Sequence, residues 1–109
     1  MSGINQQLKK GALEIIVLST VERGDVYGYE LIKDMERRSE GYFTLKEGSL
    51  YPIMYRLEDK GYIESYKKSF EGERKVPRKY YRITEAGRLA LNEMVEAWNE
   101  FNLQVNSMI

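Results

Sequence analysis

The side chains best suited to binding chemistry lie between residues 44 and 63. Tyrosine and serine hydroxyls donate and accept hydrogen bonds, and an arginine guanidinium can hold a phosphate or a base edge. Apolar residues recur here at helical spacing, which predicts an amphipathic helix: Leu50, Ile53, Met54 and Leu57. The other side of that helix carries small, aromatic and cationic groups: Gly48, Ser49, Tyr51, Pro52, Tyr55, Arg56 and Asp59. Such a helix is suited to pressing its first turns against a partner.

Catalysis is not indicated by the composition. The 109 residues include no cysteine and no histidine, which excludes disulfides, Cys/His zinc sites and histidine general bases. A catalyst would need paired carboxylates, but Glu58–Asp59 and Asp34/Glu36 fall on helix faces predicted to be solvated. No acidic cluster in the sequence has the spacing of a metal site. We therefore expect no enzyme activity, no cofactor and no metal.

Size and hydropathy predict one small cytoplasmic domain. A chain of this length buries only a modest core, so a large subunit interface would add stability. The N-terminus has no long apolar run of the kind found in signal peptides. The longest apolar run, residues 15–18, is far too short to span a bilayer.

Charge is balanced in total but unevenly distributed. The chain has 17 basic and 17 acidic residues, and a net charge of zero argues by itself against nucleic-acid binding. Residues 62–82, however, contain seven basic and three acidic residues, whereas residues 83–109 contain one basic and four acidic residues. Such a pattern can direct one surface toward phosphates and keep the other away from them.

Two helices are predicted before the key stretch. The first, from about Asn5 to Val21, is apolar on two sides, which predicts burial on two sides and contact with another subunit. Asp25 is a favourable N-cap for the second helix, which runs to about Ser39. Gly28 permits a close helix contact.

The start of the third helix is ambiguous from the residues alone. The helix follows a short β-prone segment, residues 42–45. Ser49 would be a good N-cap and would place Pro52 in the first turn, where a missing N–H is harmless. A start near Lys46 would instead put Pro52 in the interior and bend the helix. Gly61 ends the helix in either case.

Two alternating, tyrosine-rich runs follow, residues 62–70 and 78–84, joined by polar residues 71–77. They predict a β-hairpin with a basic tip. Alternation along the strands would put at most about half of the strand cations on one side of the hairpin.

A long last helix closes the chain, with Thr84 as its N-cap. Its apolar residues recur every three or four positions, as in a coiled coil: Leu91, Met94, Trp98, Phe101, Val105 and Met108. The predicted fold class is α+β, mainly α with a β-hairpin. It comprises a winged helix-turn-helix in residues 1–84 and a C-terminal dimerisation helix in residues 85–109, which together with the first helix form one compact domain.

Several blocks of sequence resemble the PadR family of bacterial transcriptional regulators. They occur in the family's order and spacing, and the resemblance extends from about Leu8 to Phe101. The single C-terminal helix is similar to that of the smaller, multidrug-binding members, which lack a larger C-terminal domain. The blocks are residues 27–31 (YGYEL), 48–52 (GSLYP), 56–58 (RLE), 61–63 (GYI) and 78–87 (RKYYRITEAG).

The resemblance implies a homodimeric DNA-binding protein, usually a repressor. Family members bind inverted repeats near genes for phenolic-acid detoxification or multidrug efflux, and they release them when a small molecule binds. The resemblance also implies that the third helix starts near Lys46. Lysine is a poor N-cap, so this helix end is expected to fray or to await a phosphate.

The third helix and the hairpin are the predicted DNA-binding elements. Arg56 and the Tyr51 hydroxyl are expected to hold phosphates. Base edges are assigned to Ser49, Pro52 and Tyr55. The helix start and three hairpin cations complete the predicted interface, although the hairpin charges can also be interpreted as solubilising edge charges: Lys46, Gly48, Arg74, Lys75 and Lys79.

The first and last helices are predicted to meet a second copy of the chain. Trp98 is either an anchor of the dimer core or, as the resemblance implies, a platform for flat hydrophobic effectors between subunits. An effector would favour a dimer whose recognition helices no longer match half-sites about 34 Å apart. The residues expected at this surface come from both helices: Leu8, Ala12, Ile15, Met94, Trp98, Phe101 and Val105.

The alternative function is a winged helix that binds another protein and no DNA. The neutral net charge and the apolar seam of the last helix permit it. Salt discriminates the two functions, because binding that depends on several phosphate contacts weakens steeply as salt rises.

Overall fold

The computed structural model describes the backbone of residues 2–69 and 77–109, with side chains from Leu8 onward within those ranges. Four helices and a three-stranded sheet confirm the predicted α+β architecture with a long C-terminal helix. In chain order the elements are α1 (Ser2–Arg23), β1 (Val26–Tyr27), α2 (Gly28–Arg38), α3 (Glu47–Asp59), β2 (Ile63–Lys68), β3 (Arg78–Ile83) and α4 (Glu85–Met108).

One apolar core joins α1, α2, α3 and the inner face of the sheet. Its members are the side chains that helical or strand periodicity directs inward, and burying each of the larger ones stabilises the fold by about 1.5–3 kcal/mol. The most deeply buried are Val17, Leu18, Val21, Leu31, Met35, Leu50, Met54, Leu57, Ile63 and Tyr81. The stripe predicted for α3 therefore faces the core.

The third strand of the sheet is not where the sequence predicts it. The sheet order is β1-β3-β2, with both pairs antiparallel, and β1 is Val26–Tyr27. Residues 42–45, predicted as a strand, form an irregular segment instead. Their backbone is bonded by side chains: the Phe43 N–H donates to Ser39 Oγ at 2.9 Å, and Lys9 Nζ donates to the Tyr42 carbonyl at 2.6 Å.

The N-cap predicted for α2 is also wrong. Tyr27, not Asp25, precedes the first helical residue. Because Val26 and Tyr27 pair with β3, their backbone stays extended and the helix starts later. The Asp25 carboxylate accepts a hydrogen bond from the Tyr66 hydroxyl at 2.6 Å instead, which ties the start of β1 to β2.

The early start of α3 is confirmed. Lys46 is the N-cap, with extended backbone and no hydrogen bond from its side chain, and its carbonyl accepts from the N–H groups of Ser49 and Leu50. Pro52 therefore lies inside the helix. Gly61 follows the helix with φ of 77°, the left-handed conformation that glycine adopts without a steric penalty.

Helix α4 starts at the predicted N-cap and extends past the core. Thr84 Oγ1 accepts from the Gly87 N–H at 3.0 Å and donates to the Gly61 carbonyl at 2.6 Å. Leu91 is buried and Met94 packs against the core, whereas most later apolar side chains are exposed. Twenty-four helical residues span about 36 Å, which accounts for much of the 57 Å long axis of the molecule.

Candidate nucleic-acid interface

Helix α3 presents one side to solvent along its whole length. Its buried stripe holds it against α1, α2 and β2, and residues on the opposite side are exposed. Tyr55 is 54% exposed, and Arg56 and Pro52 beside it are exposed as well. The predicted division of this helix into a core side and a free side is thus found for every assigned residue but one: Gly48, Ser49, Pro52, Tyr55 and Arg56 are exposed.

Tyr51 is the exception, because it is half-buried against α2. A Cβ built on Gly28, the first residue of α2, would lie 2.5 Å from the Tyr51 hydroxyl oxygen. The close helix contact predicted at Gly28 is therefore confirmed, and the absence of a side chain makes it possible. Burial raises the pKa of the Tyr51 hydroxyl above 10.0, and Glu47 and Tyr55 add to the rise. The hydroxyl stays protonated near neutral pH and keeps a hydrogen to donate.

The first turn of α3 and its N-cap expose polar side chains to solvent. The Lys46 side chain makes no capping bond, and Lys46, Gly48 and Ser49 are all exposed. The segment before this turn is fixed from α1, since Lys9 Nζ donates to the Tyr42 carbonyl and lies 4.1 Å from the centroid of the Tyr42 ring. Lys9 was not among the predicted residues, because its contact joins positions 33 residues apart and has no sequence signal.

The hairpin approaches α3 through Lys79. Its ammonium nitrogen lies 5.9 Å from the centroid of the Tyr55 ring and 5.5 Å from that of Tyr81. A cation at this distance from an aromatic face is weakly attracted to it. Lys79 and Tyr55, both predicted to contact DNA, are thus brought together on one surface. The other predicted hairpin contacts, Arg74 and Lys75, lie outside the described residues.

Strand register adds Lys67 to this surface. Lys67 and Lys79 are Cα partners in the β2–β3 ladder, so their side chains share a face. The sequence predicts that Lys67 and Lys68 point to opposite faces but does not say which faces α3. The Ser65 hydroxyl donates to the Glu58 carboxylate of α3 at 2.8 Å, so Ser65 faces α3. Lys67 is two residues later in the same strand and therefore points to the same face.

The residues predicted for the dimer and effector surface divide into two groups. Ala12 is buried, and Ile15 and Met94 pack against the chain's own core. The others face outward in varying degree: Leu8 is 68% exposed, Phe101 60% and Val105 39%, whereas Trp98 is half-buried. The Trp98 and Phe101 rings lie 6.1 Å apart, tilted by 30°.

Neither a metal-binding cluster nor a membrane-spanning helix is found in the part of the chain that the structure describes. No cluster of three or more carboxylate side chains there is arranged to hold a metal ion. No helix among those residues combines the length and apolar character needed to cross a bilayer.

Comparison with known proteins agrees with the geometry. A family model described as the transcriptional regulator PadR-like family matches residues 17–93. A solved transcriptional regulator from Clostridium thermocellum is 34% identical, with a TM-score of 0.85 over 94% of this chain and 98% of that one. A PadR family regulator from Eggerthella lenta is 32% identical, with a TM-score of 0.85 over 98% of this chain and 89% of that one.

A more distant relative has a named activity. The negative transcriptional regulator PadR of Bacillus subtilis is 24% identical over 81 residues, which cover 74% of this chain and 43% of that protein. The matched family segment includes α2, α3, the hairpin and the first part of α4. The chain therefore belongs to the PadR-like family of transcriptional regulators.

Proposed function

We propose that this regulator is a homodimeric repressor that binds an inverted-repeat operator with α3 in the major groove. The observation that carries this proposal is the free side of α3 together with Lys79 at its edge. Exposed hydroxyls, a guanidinium and an ammonium there are the groups that hold phosphates and base edges. The sequence prediction gives the same role to Arg74 and Lys75, which lie outside the described residues.

Dimerisation is supported by the exposed apolar surface of α1 and α4. Side chains as large as Leu8 and Phe101 are more than half exposed in the single chain. Exposed apolar side chains repeated along one helix favour association with a partner, and a second copy has the same seam to offer. Two copies would also supply the two recognition helices that an inverted repeat requires.

Effector binding is supported by the Trp98–Phe101 pair. Two aromatic rings at 6.1 Å, one half-buried and one exposed, can accept a flat hydrophobic molecule between subunits. Repression is supported by the Bacillus subtilis relative, whose name describes a negative regulator. A bound effector would shift the dimer toward a geometry that no longer fits the operator.

Selection from random duplexes followed by binding titration tests the DNA-binding part of this proposal. The protein is expected to enrich an inverted repeat, and Tyr55→Ala/Arg56→Ala is expected to lose it. Arg88→Ala, which removes one exposed cation from α4, is the control and should retain it. Enrichment without an inverted repeat would contradict the dimeric arrangement. A folded dimer that enriches nothing would favour binding of a protein partner.

The effector part is tested at Trp98, the one tryptophan of the chain. Anilinonaphthalene sulfonate, an anionic probe with two aromatic ring systems, is expected to quench Trp98 fluorescence and to weaken operator binding. Trp98→Ala should lose the probe's effect on operator binding, and Trp98→Phe should retain part of it because a ring remains. An Ala variant that stays dimeric and responds like the unsubstituted protein would contradict an effector site at this position.

A further inference from the structure

The β2–β3 ladder sets like charges opposite each other on both faces of the hairpin. Lys67 is the partner of Lys79, and Lys68 is the partner of Arg78. Directly opposed side chains have Cβ atoms about 4.5–5.5 Å apart, and like charges in this arrangement repel. A group that attracts cations would reduce this repulsion, and the two faces differ in how they provide one.

The outer pair is compensated within the chain. Lys68 Nζ lies 5.6 Å from the centroid of the Tyr80 ring, and Arg78 Cζ lies 4.7 Å from that of Tyr27. Tyr80 is in turn packed between Tyr27 and Tyr66, whose ring centroids are 5.3 and 5.8 Å away. The outer cations thus lie against a layer of aromatic faces, which attract positive charge.

The inner pair is compensated at only one of its two lysines. Lys79 lies 5.5 Å from the centroid of the Tyr81 ring and 5.9 Å from that of Tyr55, distances similar to that between Lys68 and Tyr80. Lys67 is exposed and has no hydrogen bond, ion pair or ring contact with the residues that the structure describes. One lysine without such a partner therefore faces a second lysine on the side of the hairpin that approaches α3.

We propose that Lys67 and Lys79 together bind one backbone phosphate of duplex DNA, where the hairpin meets α3. An anion between two ammonium groups attracts both of them and offsets their mutual repulsion. The flexible lysine side chains let both ammonium groups reach the same anion. Tyr55 beside Lys79 ties this phosphate to the helix assigned to base edges. The inference rests on the proposed function and deepens it, because it assigns a phosphate contact to Lys67.

Charge-neutral variants test the pair against a matched control. Lys67→Gln and Lys79→Gln are each expected to weaken operator binding. Each should also reduce the steepness of log affinity against log salt by about the amount that one phosphate contact contributes. Lys68→Gln, one residue away on the outer face, should change neither. The double variant Lys67→Gln/Lys79→Gln should lose less than the product of the two single losses, since both lysines share one phosphate.

Thermal melting without DNA separates binding from folding. Lys67→Gln removes a repulsion, so its melting temperature should be equal to or higher than that of the unsubstituted protein at low salt, with any gain lost at high salt. Lys67→Arg keeps the charge and should keep the salt slope. A destabilised Lys67→Gln variant whose binding is restored at lower temperature would overturn the proposal in favour of a structural role.

The outcomes distinguish this inference from the function on which it rests. If the unsubstituted protein binds the operator and Lys67→Gln binds with the same affinity and salt slope, the shared phosphate contact is wrong and the proposed function stands. If the unsubstituted protein binds no duplex, both are overturned.

Discussion

Tyr81 is a buried residue of β3 that lies close to Glu58, Tyr51 and Tyr55 of α3. Its side chain is 1% exposed, and its hydroxyl has no hydrogen-bond partner among the described residues. Burial, aided by the nearby Glu58 carboxylate, raises the pKa of Tyr81 to about 12. A buried hydroxyl without a partner costs about 1–3 kcal/mol. The hydroxyl therefore destabilises the core that the ring stabilises.

Replacing Tyr81 with Phe should stabilise the protein. Tyr81→Phe keeps the packed ring and removes the unpaired hydroxyl, so the free energy of unfolding should rise by about 1 kcal/mol in urea titrations at pH 7. Tyr66→Phe is the matched control, because the Tyr66 hydroxyl donates to Asp25 and its removal should lower stability. A loss of stability in Tyr81→Phe would show that its hydroxyl is hydrogen-bonded in the folded protein.

The same tyrosine makes stability depend on alkaline pH. Its pKa is about 12 in the folded protein and about 10.0 as a free side chain. Between these values the unfolded chain loses the proton and the folded protein retains it, so stability falls as pH rises from 10 toward 12. Urea titrations at pH 7, 10 and 11 should show a smaller fall for Tyr81→Phe than for the unsubstituted protein. Equal falls would assign the alkaline loss to other tyrosines.

Helix α3 combines a weak N-cap with an exposed cation at the same position. Lys46 makes no capping bond, whereas serine there could accept one from the N–H groups of the first turn. Lys46→Ser should therefore raise the free energy of unfolding by about 0.5–2 kcal/mol and weaken operator binding, because one cation near the phosphates is lost.

The opposite signs of these two effects make Lys46 informative. Lys46→Ala is the control, since it removes the cation without adding a cap and should weaken binding with little gain in stability. Urea titration and operator titration on the same samples provide both readouts. Unchanged operator affinity in both variants would remove Lys46 from the DNA interface.

How far the elements can be predicted depends on the range of the interactions that fix them. The core stripe of α3 and the Thr84 cap follow from local spacing, and both are found. The β1 strand is only two residues long and exists because β3, more than 50 residues later, pairs with it. Local propensity favoured residues 42–45 instead, where side chains occupy the backbone groups.

The residues of the candidate site also divide into those that local spacing predicts and those that depend on long-range contacts. Periodicity alone identifies the exposed side of α3. The choice between Lys67 and Lys68 needed the strand register and the Ser65–Glu58 bond, which no local pattern encodes. Tyr51 belongs to the predicted DNA-binding set, but its contact with Gly28 depends on how α2 and α3 pack.

The whole molecule is elongated because α4 extends past the core, and most apolar side chains of its second half are exposed in the single chain. Its axes measure 57, 33 and 21 Å, and Phe101, Val105 and Met108 are exposed along the predicted seam. Leu89, on the same helix but outside the seam, is 59% exposed, nearly the same fraction as the 60% of Phe101. Exposure in one chain therefore does not distinguish the two residues, whereas a dimer built on the seam does.

Phe101→Glu and Leu89→Glu form the decisive pair for the dimer. A carboxylate introduced into an apolar interface loses its hydration without gaining a partner, so Phe101→Glu should dissociate the dimer in sedimentation velocity at micromolar concentration. Leu89→Glu should remain dimeric, because its charge stays in water. The Phe101→Glu monomer should also lose affinity for the full inverted repeat. Dissociation by Leu89→Glu alone would move the interface to the other side of α4 and would take Trp98 out of it.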